Sequence, residues 1–446
     1  MGGEELARDW ALRQQVLTAE KFRRVFRPVT FASSAHVPSP DNISARALGI
    51  QRILALMTVG SWRRLDPGQN RVEKLRPAYP KNANVEGRHP FSQGRIAFQS
   101  ISSNEVMEKG IAVSVLDLVG MRAGESAGSA IARSVNLAQH VEQLGYRRYW
   151  LAEHHSIPGL ACSATAVLIG HVAAATKAIR VGSGGVMLPN HAPLVVAEQF
   201  GTLEALYPGR IDLGLGRAPG GDAQTMRALR RDLGQRGDDF PELLDELRGY
   251  LGPEKPGRGV RAIPGQGSNV PITLLGSSGF SAHLAGVLGL PFAFAAHFAP
   301  EYLYAAAELY REQFRPSEAL RSPYFMVAVQ VIAAETDAAA RRLFTTPQQR
   351  FLRLIRDQSV ELLPPVDSME GIWQDWERAA VESKLGAAIV GSSATVKAGL
   401  EKLVGDTSAN EVIVVTDTFE HADRIESYRR VADVARSIEV NSIVTA

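Results

Sequence analysis

Short apolar runs alternate with longer amphipathic stretches from Ile111 almost to the C-terminus. After the first run, at residues 111 to 118, apolar residues recur three and four positions apart until Gly145. That spacing is typical of an amphipathic helix that ends at a glycine. Repeated alternation of short apolar runs and helical stretches predicts βαβ units and a parallel sheet.

The pattern predicts an α/β protein with eight strands. They fall at residues 111–118, 148–152, 179–188, 211–215, 271–275, 291–295, 324–333 and 411–416. Eight strands with intervening helices predict a (β/α)₈ TIM barrel, whose active site lies on the loops after the strands. A doubly wound open sheet is the alternative, and its ligand would bind where the strand order reverses.

Two segments fall outside this alternation. Residues 344 to 385 fit neither a strand nor a simple connection, and we interpret them as a helical insertion after strand seven that covers the site. Residues 1 to 106 show no strand and helix alternation, so we expect a basic, poorly ordered extension before a barrel domain at 107 to 446. Our hypothesis is that translation starts at Met107.

Composition is that of an ordinary globular protein, with 446 residues and 45% hydrophobic content. The single cysteine, Cys162, excludes an intramolecular disulfide and a multi-cysteine metal site, which fits a reducing cytosol. No apolar run reaches the roughly 18 residues of a membrane helix. The basic residues before position 107 are scattered, unlike a nucleic-acid site or a transit peptide. We expect a cytoplasmic protein without membrane or nucleic-acid partners.

Three polar residues, Glu153, His154 and His155, follow the second strand. Polar groups collect at strand ends, where ligands reach them, and histidine is the usual proton-transfer group near neutral pH. The alternative is a plain strand end whose glutamate caps the next helix. A metal site is disfavoured, because adjacent histidines lack the spacing that puts two ligands on one helix face.

Glycines interrupt the third strand at Gly182, Gly184 and Gly185. Glycine weakens a strand interior, and its presence there marks a bulge or the close approach of a ligand. A flat aromatic cofactor lying against exposed backbone would need such residues, because glycine has no Cβ. Close helix packing is the alternative explanation.

Glycine-rich turns follow strands four and five, at residues 214–221 and 275–279. Arg217 would offer a planar set of donors to a phosphate, and the next helix would add backbone N–H groups. The alternatives are a structural ion pair for Arg217 and ordinary small residues at a helix start. Neither turn is a P-loop or a dinucleotide fingerprint, because the required Gly-Lys-Ser/Thr ending and third glycine are absent.

Residues 110 to 435 resemble the bacterial luciferase-like flavin-dependent monooxygenases, and most closely the uncharacterised bacterial members of that family. The resemblance rests on four motifs. They are Glu-His-His after strand two, Gly-Gly-Val-Met-Leu-Pro-Asn-His-Ala-Pro at 184–193, Ala-Glu-Gln-Phe at 197–200, and Tyr-Pro-Gly-Arg-Ile-Asp at 207–212 with its continuation through Gly216-Arg217. The first 106 residues have no counterpart.

The resemblance implies a barrel that binds reduced FMN at the carboxyl ends of its strands. The matching residues are Ser183, Gly184 and Gly185 behind the flavin ring, and Arg217, Gly276 and Ser277 at the phosphate. It also implies a cis peptide bond between Gly184 and Gly185. Gly216 stands where luciferase has a reactive cysteine, which argues against light emission and against luciferase's aldehyde specificity.

The resemblance further implies the reaction. A separate reductase supplies FMNH₂, since the chain has no NAD(P)H fingerprint, and O₂ gives a flavin C4a-peroxide that oxidises a small organic substrate. His154 is then the general acid/base, and Glu153 and His155 orient it or line the pocket. A homodimer is the family expectation. The alternatives are hydride transfer with a deazaflavin and a flavin-binding protein without turnover.

Overall fold

The computed structural model describes residues 110–218, 223–229, 239–254 and 259–438. The expectations for residues 1 to 106 and for a start at Met107 lie outside these described residues.

Parallel β-strands form the centre of the protein. They are β1 (Ala112–Asp117), β2 (Arg148–Leu151), β3 (Arg180–Met187), β4 (Ile211–Gly216), β5 (Ile272–Gly276), β6 (Phe292–Ala295), β7 (Phe325–Ala333), β8 (Ile389–Gly391) and β9 (Glu411–Val415). Strands β1 to β7 pair in order, β7 pairs with β9, and β9 pairs with β1, which closes an eight-stranded barrel. The predicted (β/α)₈ barrel is confirmed, and the doubly wound alternative is wrong.

Helices surround the barrel. They are α1 (Ala127–Gln143), α2 (Thr165–Ala175), α3 (Pro193–Leu206), α4 (Ala223–Leu229), α5 (Phe240–Leu251), α6 (Gly279–Leu288), α7 (Leu303–Gln313), α8 (Asp337–Ile355), α9 (Asp375–Lys384), α10 (Ser393–Thr407) and α11 (His421–Arg436), with 3₁₀ turns at Leu188–Asn190 and Pro300–Tyr302. In the described part of the chain, no helix is long and apolar enough to cross a membrane.

Local sequence signals set several helix ends. The hydroxyl of Ser126 accepts a hydrogen bond from the backbone N–H of Ser129 at 3.2 Å, which caps the start of α1. Gly145 lies just after this helix with a φ of 83°, in the left-handed region that glycine tolerates best. Pro193 is the first residue of α3, where its missing N–H costs nothing.

A buried ion network closes the amino-terminal end of the barrel. Arg148 donates to Asp212 of β4 at 2.8 Å and to Glu411 of β9 at 3.0 Å. Arg180 of β3 also donates to Asp212 at 2.6 Å, and the Tyr324 hydroxyl donates to Glu411 at 2.7 Å. Because β2 is adjacent to neither β4 nor β9, these bonds tie strands together across the barrel interior.

The segment after β7 covers part of the opposite end. Its first helix, α8, begins at Asp337, so the predicted insertion start at residue 344 lies inside a helix rather than at a boundary. Leu362 pairs with Met121 and Ala123 in the loop after β1, through N···O distances of 2.8 and 3.0 Å. The N–H of Val360 donates to the carbonyl of Pro158, in the loop after β2, at 2.9 Å.

We expect the substitution Arg148→Met to lower the free energy of unfolding by about 3–5 kcal/mol, because it leaves two buried carboxylates short of a positive partner. Urea unfolding followed by circular dichroism measures this loss. The control is Arg378→Met, which breaks an exposed pair with Glu382 and should change stability little. An Arg148→Met loss no larger than that of the control would contradict the expectation.

Candidate active site

Polar side chains gather at the carboxyl ends of the barrel strands. His154 follows β2, His297 follows β6, Asp417 follows β9, and Gln330 belongs to β7. Arg350 reaches this group from α8, and its Nη1 donates to Asp417 Oδ2 at 2.7 Å. Gln330 Nε2 donates to the same oxygen at 3.1 Å. Enzymes with this fold carry their active sites at this end. We call this end the mouth of the barrel.

The ion pair between Arg350 and Asp417 is shielded from solvent, since each residue is only 6% exposed. Burial and, after it, the Arg350 charge together lower the pKa of His154 from 6.5 to about 4. Burial also lowers the pKa of His297 from 6.5 to about 4, although the Asp417 carboxylate opposes that change. Both imidazoles are therefore neutral at pH 7, each with one N–H donor and one acceptor nitrogen.

Glu153 is buried and joins two other histidines. Its Oε1 accepts hydrogen bonds from His155 Nε2 at 2.9 Å and from His191 Nε2 at 2.8 Å. Burial opposes ionisation, but these hydrogen bonds, the one from His191 first, hold the pKa of Glu153 below its usual value. Among the described residues Glu153 bonds these two rings and the Met187 N–H, and it does not hydrogen-bond to His154.

The Glu153 cluster also bears on metal binding. One ligand atom each from Glu153, His155 and His191 lies within 4.8 Å of the others. The adjacent His154 and His155 lack the spacing of a metal site, but His191, distant in sequence, completes the group in space. In the structure the Nε2 atoms of both histidines donate to Glu153 Oε1, so hydrogen bonds occupy one nitrogen of each ring.

The glycines of β3 pack against other strands. The peptide bond between Gly184 and Gly185 is cis, as the resemblance implies. A Cβ on Gly184 would lie 2.7 Å from Leu116 Cδ1, and one on Gly185 would lie 2.7 Å from the Gly214 carbonyl oxygen. The alternative of close helix packing is therefore wrong at these two positions. Both glycines are partly exposed, whereas the preceding Ser183 is buried and donates to the Gly214 carbonyl at 2.8 Å.

Arg217 and the start of α6 lie at the ends of the adjacent strands β4 and β5. The Arg217 guanidinium stacks 4.2 Å above the Phe280 ring, and no carboxylate among the described residues pairs with it. The side chain of Ser278, at the N-cap of α6, makes no capping bond, so the first N–H groups of this helix keep their donor capacity. Gly276 and Ser277 are partly exposed beside them. These donors suit a phosphate.

The structure thus brings the sequence-predicted residues to consecutive strands β2, β3, β4 and β5 at one end of the barrel. Sequence reasoning missed His191, which comes after β3. It also missed the polar residues on the remaining strands and on α8, which are His297, Gln330, Asp417 and Arg350. A histidine just past the apolar strand β6 and an aspartate just past β9 follow the same rule that singled out His154.

The family described as Luciferase-like monooxygenase matches residues 111–433. YvbT of Bacillus subtilis is 56% identical over 335 residues, covering 75% of this chain and 99% of that protein. A luciferase-like monooxygenase of Escherichia coli K12 is 48% identical over 331 residues, covering 74% and 99%. The N-acetyl-S-alkylcysteine monooxygenase of Bacillus subtilis is 32% identical over 334 residues, covering 72% and 98%.

Solved structures show the same architecture. Apo-MsnO8 is 35% identical with a TM-score of 0.66, covering 74% of this chain and 100% of that one. The oxygenating constituent of 3,6-diketocamphane monooxygenase from Pseudomonas putida, in complex with FMN, is 18% identical with a TM-score of 0.59, covering 75% and 99%. The second likeness supports the fold alone.

We expect His154 to titrate near pH 4 in the folded protein, because burial disfavours its charged form. The histidine ring-proton signals in an NMR titration, assigned by the signal missing in His154→Asn, measure this midpoint. Since the pKa is lowered on folding, this residue's contribution to stability should be complete above about pH 6.5 and be lost as the pH falls toward 4. A midpoint near 6.5 would contradict burial of the ring.

Proposed function

Because the chain belongs to the luciferase-like monooxygenase family, we propose that it is an oxidoreductase that uses FMNH₂ and O₂ to oxygenate a small organic substrate. The observation that carries the proposal is the set of donors formed by Arg217 and the uncapped start of α6. Helix α6 follows β5, which lies two strands away from β3 and its partly exposed Gly184–Gly185 peptide.

The chemistry of these residues suits FMN. Arg217, the first N–H groups of α6, Gly276 and Ser277 would hold the phosphate. The backbone at Gly184 and Gly185 would support the flavin ring. Strands β3 and β5 are separated by β4, so their ends lie about 10 Å apart, a distance that the ribityl chain of FMN can span.

Bound FMNH₂ would supply two electrons to O₂, so that one oxygen atom enters the substrate, the other leaves as water, and oxidised FMN remains. A separate NAD(P)H-dependent reductase would restore FMNH₂. His154 would act as a neutral imidazole, accepting a proton or hydrogen bond at one nitrogen and donating at the other. Glu153 would fix His155 and His191 beside it. The segment around Leu362 would limit the entry of water.

The resemblance to the N-acetyl-S-alkylcysteine monooxygenase suggests a substrate class to test first. We propose small N-acylated thioethers, which one oxygen atom converts to sulfoxides. The test combines the full chain, FMN, NAD(P)H, a flavin reductase and N-acetyl-S-methylcysteine, with the product identified by mass spectrometry. Oxygen uptake without any oxygenated product from a panel of such thioethers would count against this substrate class.

We expect His154→Asn to bind FMN normally and to lose about 10²- to 10⁴-fold in substrate oxidation, the usual contribution of a proton-transfer group. Product formation in the reductase-coupled assay measures the loss, and flavin fluorescence measures binding. The control is His171→Ala, an exposed position on α2. Unchanged turnover in His154→Asn would refute the role of this residue.

We expect Arg217→Met to weaken FMN binding about 10- to 100-fold, because it removes charge-assisted hydrogen bonds to the phosphate. Riboflavin has no phosphate, so its affinity should stay the same. Fluorescence titrations of both flavins measure the difference, with the exposed Arg321→Met as the control. An equal loss for both flavins, or for neither, would contradict phosphate binding by Arg217.

Two alternative functions give distinct results. Tighter binding of a deazaflavin than of FMN would favour a hydride-transfer oxidoreductase. Binding of FMN without any effect on the reaction of FMNH₂ with O₂ would favour a flavin-binding protein without turnover. A homodimer belongs to the same proposal, and sedimentation of the purified chain measures it.

A further inference from the structure

Two buried polar atoms at the mouth lack a hydrogen-bond partner among the described residues. They are His297 Nδ1 and Gln330 Oε1. The two residues come from the neighbouring strands β6 and β7, which pair in register at Ala295 and Ala328. Buried polar atoms are nearly always hydrogen-bonded in folded proteins, so two orphaned atoms in one region need an explanation.

The orientation of the Gln330 amide is fixed by its neighbour. Its Nε2 faces the Asp417 carboxylate at 3.1 Å, and a carboxylate accepts hydrogen bonds but cannot donate them. The amide oxygen must therefore point away from Asp417. Gln330 is only 2% exposed, so its Oε1 is a buried acceptor to which no described residue donates.

His297 follows β6, the strand that pairs with β7, and its ring is close enough to Asp417, the partner of Gln330, for the carboxylate to act on it. Its ring packs edge-on against Phe298, with centroids 4.8 Å apart. The Asp417 carboxylate raises the pKa of His297, and His154 lowers it. Because the imidazole is neutral, it offers one donor and one acceptor. Among the described residues no group meets Nδ1 with hydrogen-bond geometry, although the backbone of Ala328 lies close enough to act on the ring.

These atoms lie across the barrel from the flavin-supporting residues. In the closed order of strands, β7 is opposite β3 and β6 is opposite β2. A molecule held by Gln330 and His297 would therefore face both the Gly184–Gly185 peptide and His154. This half of the mouth is where a substrate would meet the reduced flavin.

We propose that Gln330 Oε1 and His297 Nδ1 form a subsite for a secondary amide of the substrate, with the amide N–H donating to Gln330. The inference rests on the proposed function for the identity of the ligand as substrate. A secondary amide suits the site because it is uncharged and carries both a donor and an acceptor. The buried charges nearby, on Arg350 and Asp417, already neutralise each other.

The test uses N-methylacetamide and N,N-dimethylacetamide, which differ in one N–H group replaced by N–CH₃. Ligand-observed NMR with the full chain measures both dissociation constants without flavin or O₂. We expect N-methylacetamide to bind about tenfold more tightly, the effect of one hydrogen bond. This preference should disappear in Gln330→Met, and His297→Phe should weaken N-methylacetamide binding.

The control is Gln139→Met on α1, which removes a partly buried glutamine outside the mouth and should keep the preference. Any one of three results would overturn the subsite: equal affinity for the two probes, the same preference in Gln330→Met, or no binding of either probe. Water would then be the hydrogen-bond donor to Gln330 Oε1. Because the assay contains no flavin, such a result would leave the proposed oxygenation untouched. A failed oxygenation assay would likewise leave the amide preference standing.

Discussion

The ion pair between Arg350 and Asp417 is the interaction on which the mouth of the barrel depends. A charge this deeply buried must be paired, so α8 has to dock with its arginine against the end of β9. Once docked, the pair holds Gln330 through its amide, and Arg350 helps to keep His154 and His297 uncharged. The chemistry of the site thus depends on a helix outside the barrel.

The two ends of the barrel differ in whether their charged and polar groups are paired within the protein. At the amino-terminal end, the network around Arg148 satisfies its charges internally and links non-adjacent strands, which is a structural use of buried ions. At the carboxyl end, no carboxylate pairs with Arg217 and no group donates to Gln330 Oε1 within the part of the chain that the structure describes. A closed end stabilises the fold, whereas an end with spare hydrogen-bonding capacity is suited to binding ligands.

Sequence patterns were sufficient for the barrel, because each buried strand reads as an apolar run and each glycine-rich turn follows a strand end. They also located Glu153, His154 and His155, which lie directly after β2. The long-range contacts elsewhere at the mouth could not be predicted in the same way. Arg350 lies within a helix, and its contact with Asp417 joins positions 67 residues apart, for which no local pattern exists. The predicted start of the insertion at residue 344 fell inside α8, because the sequence pattern did not show where this helix begins.

The most direct measurement mixes the full chain, loaded with FMNH₂, rapidly with O₂ while oxygen and flavin absorbance are followed together. If the mouth holds reduced FMN away from water, oxygen should be consumed before the spectrum of oxidised FMN returns, and that return should be slower than for free FMNH₂. Identical reoxidation with and without the protein would contradict a monooxygenase site at this end of the barrel.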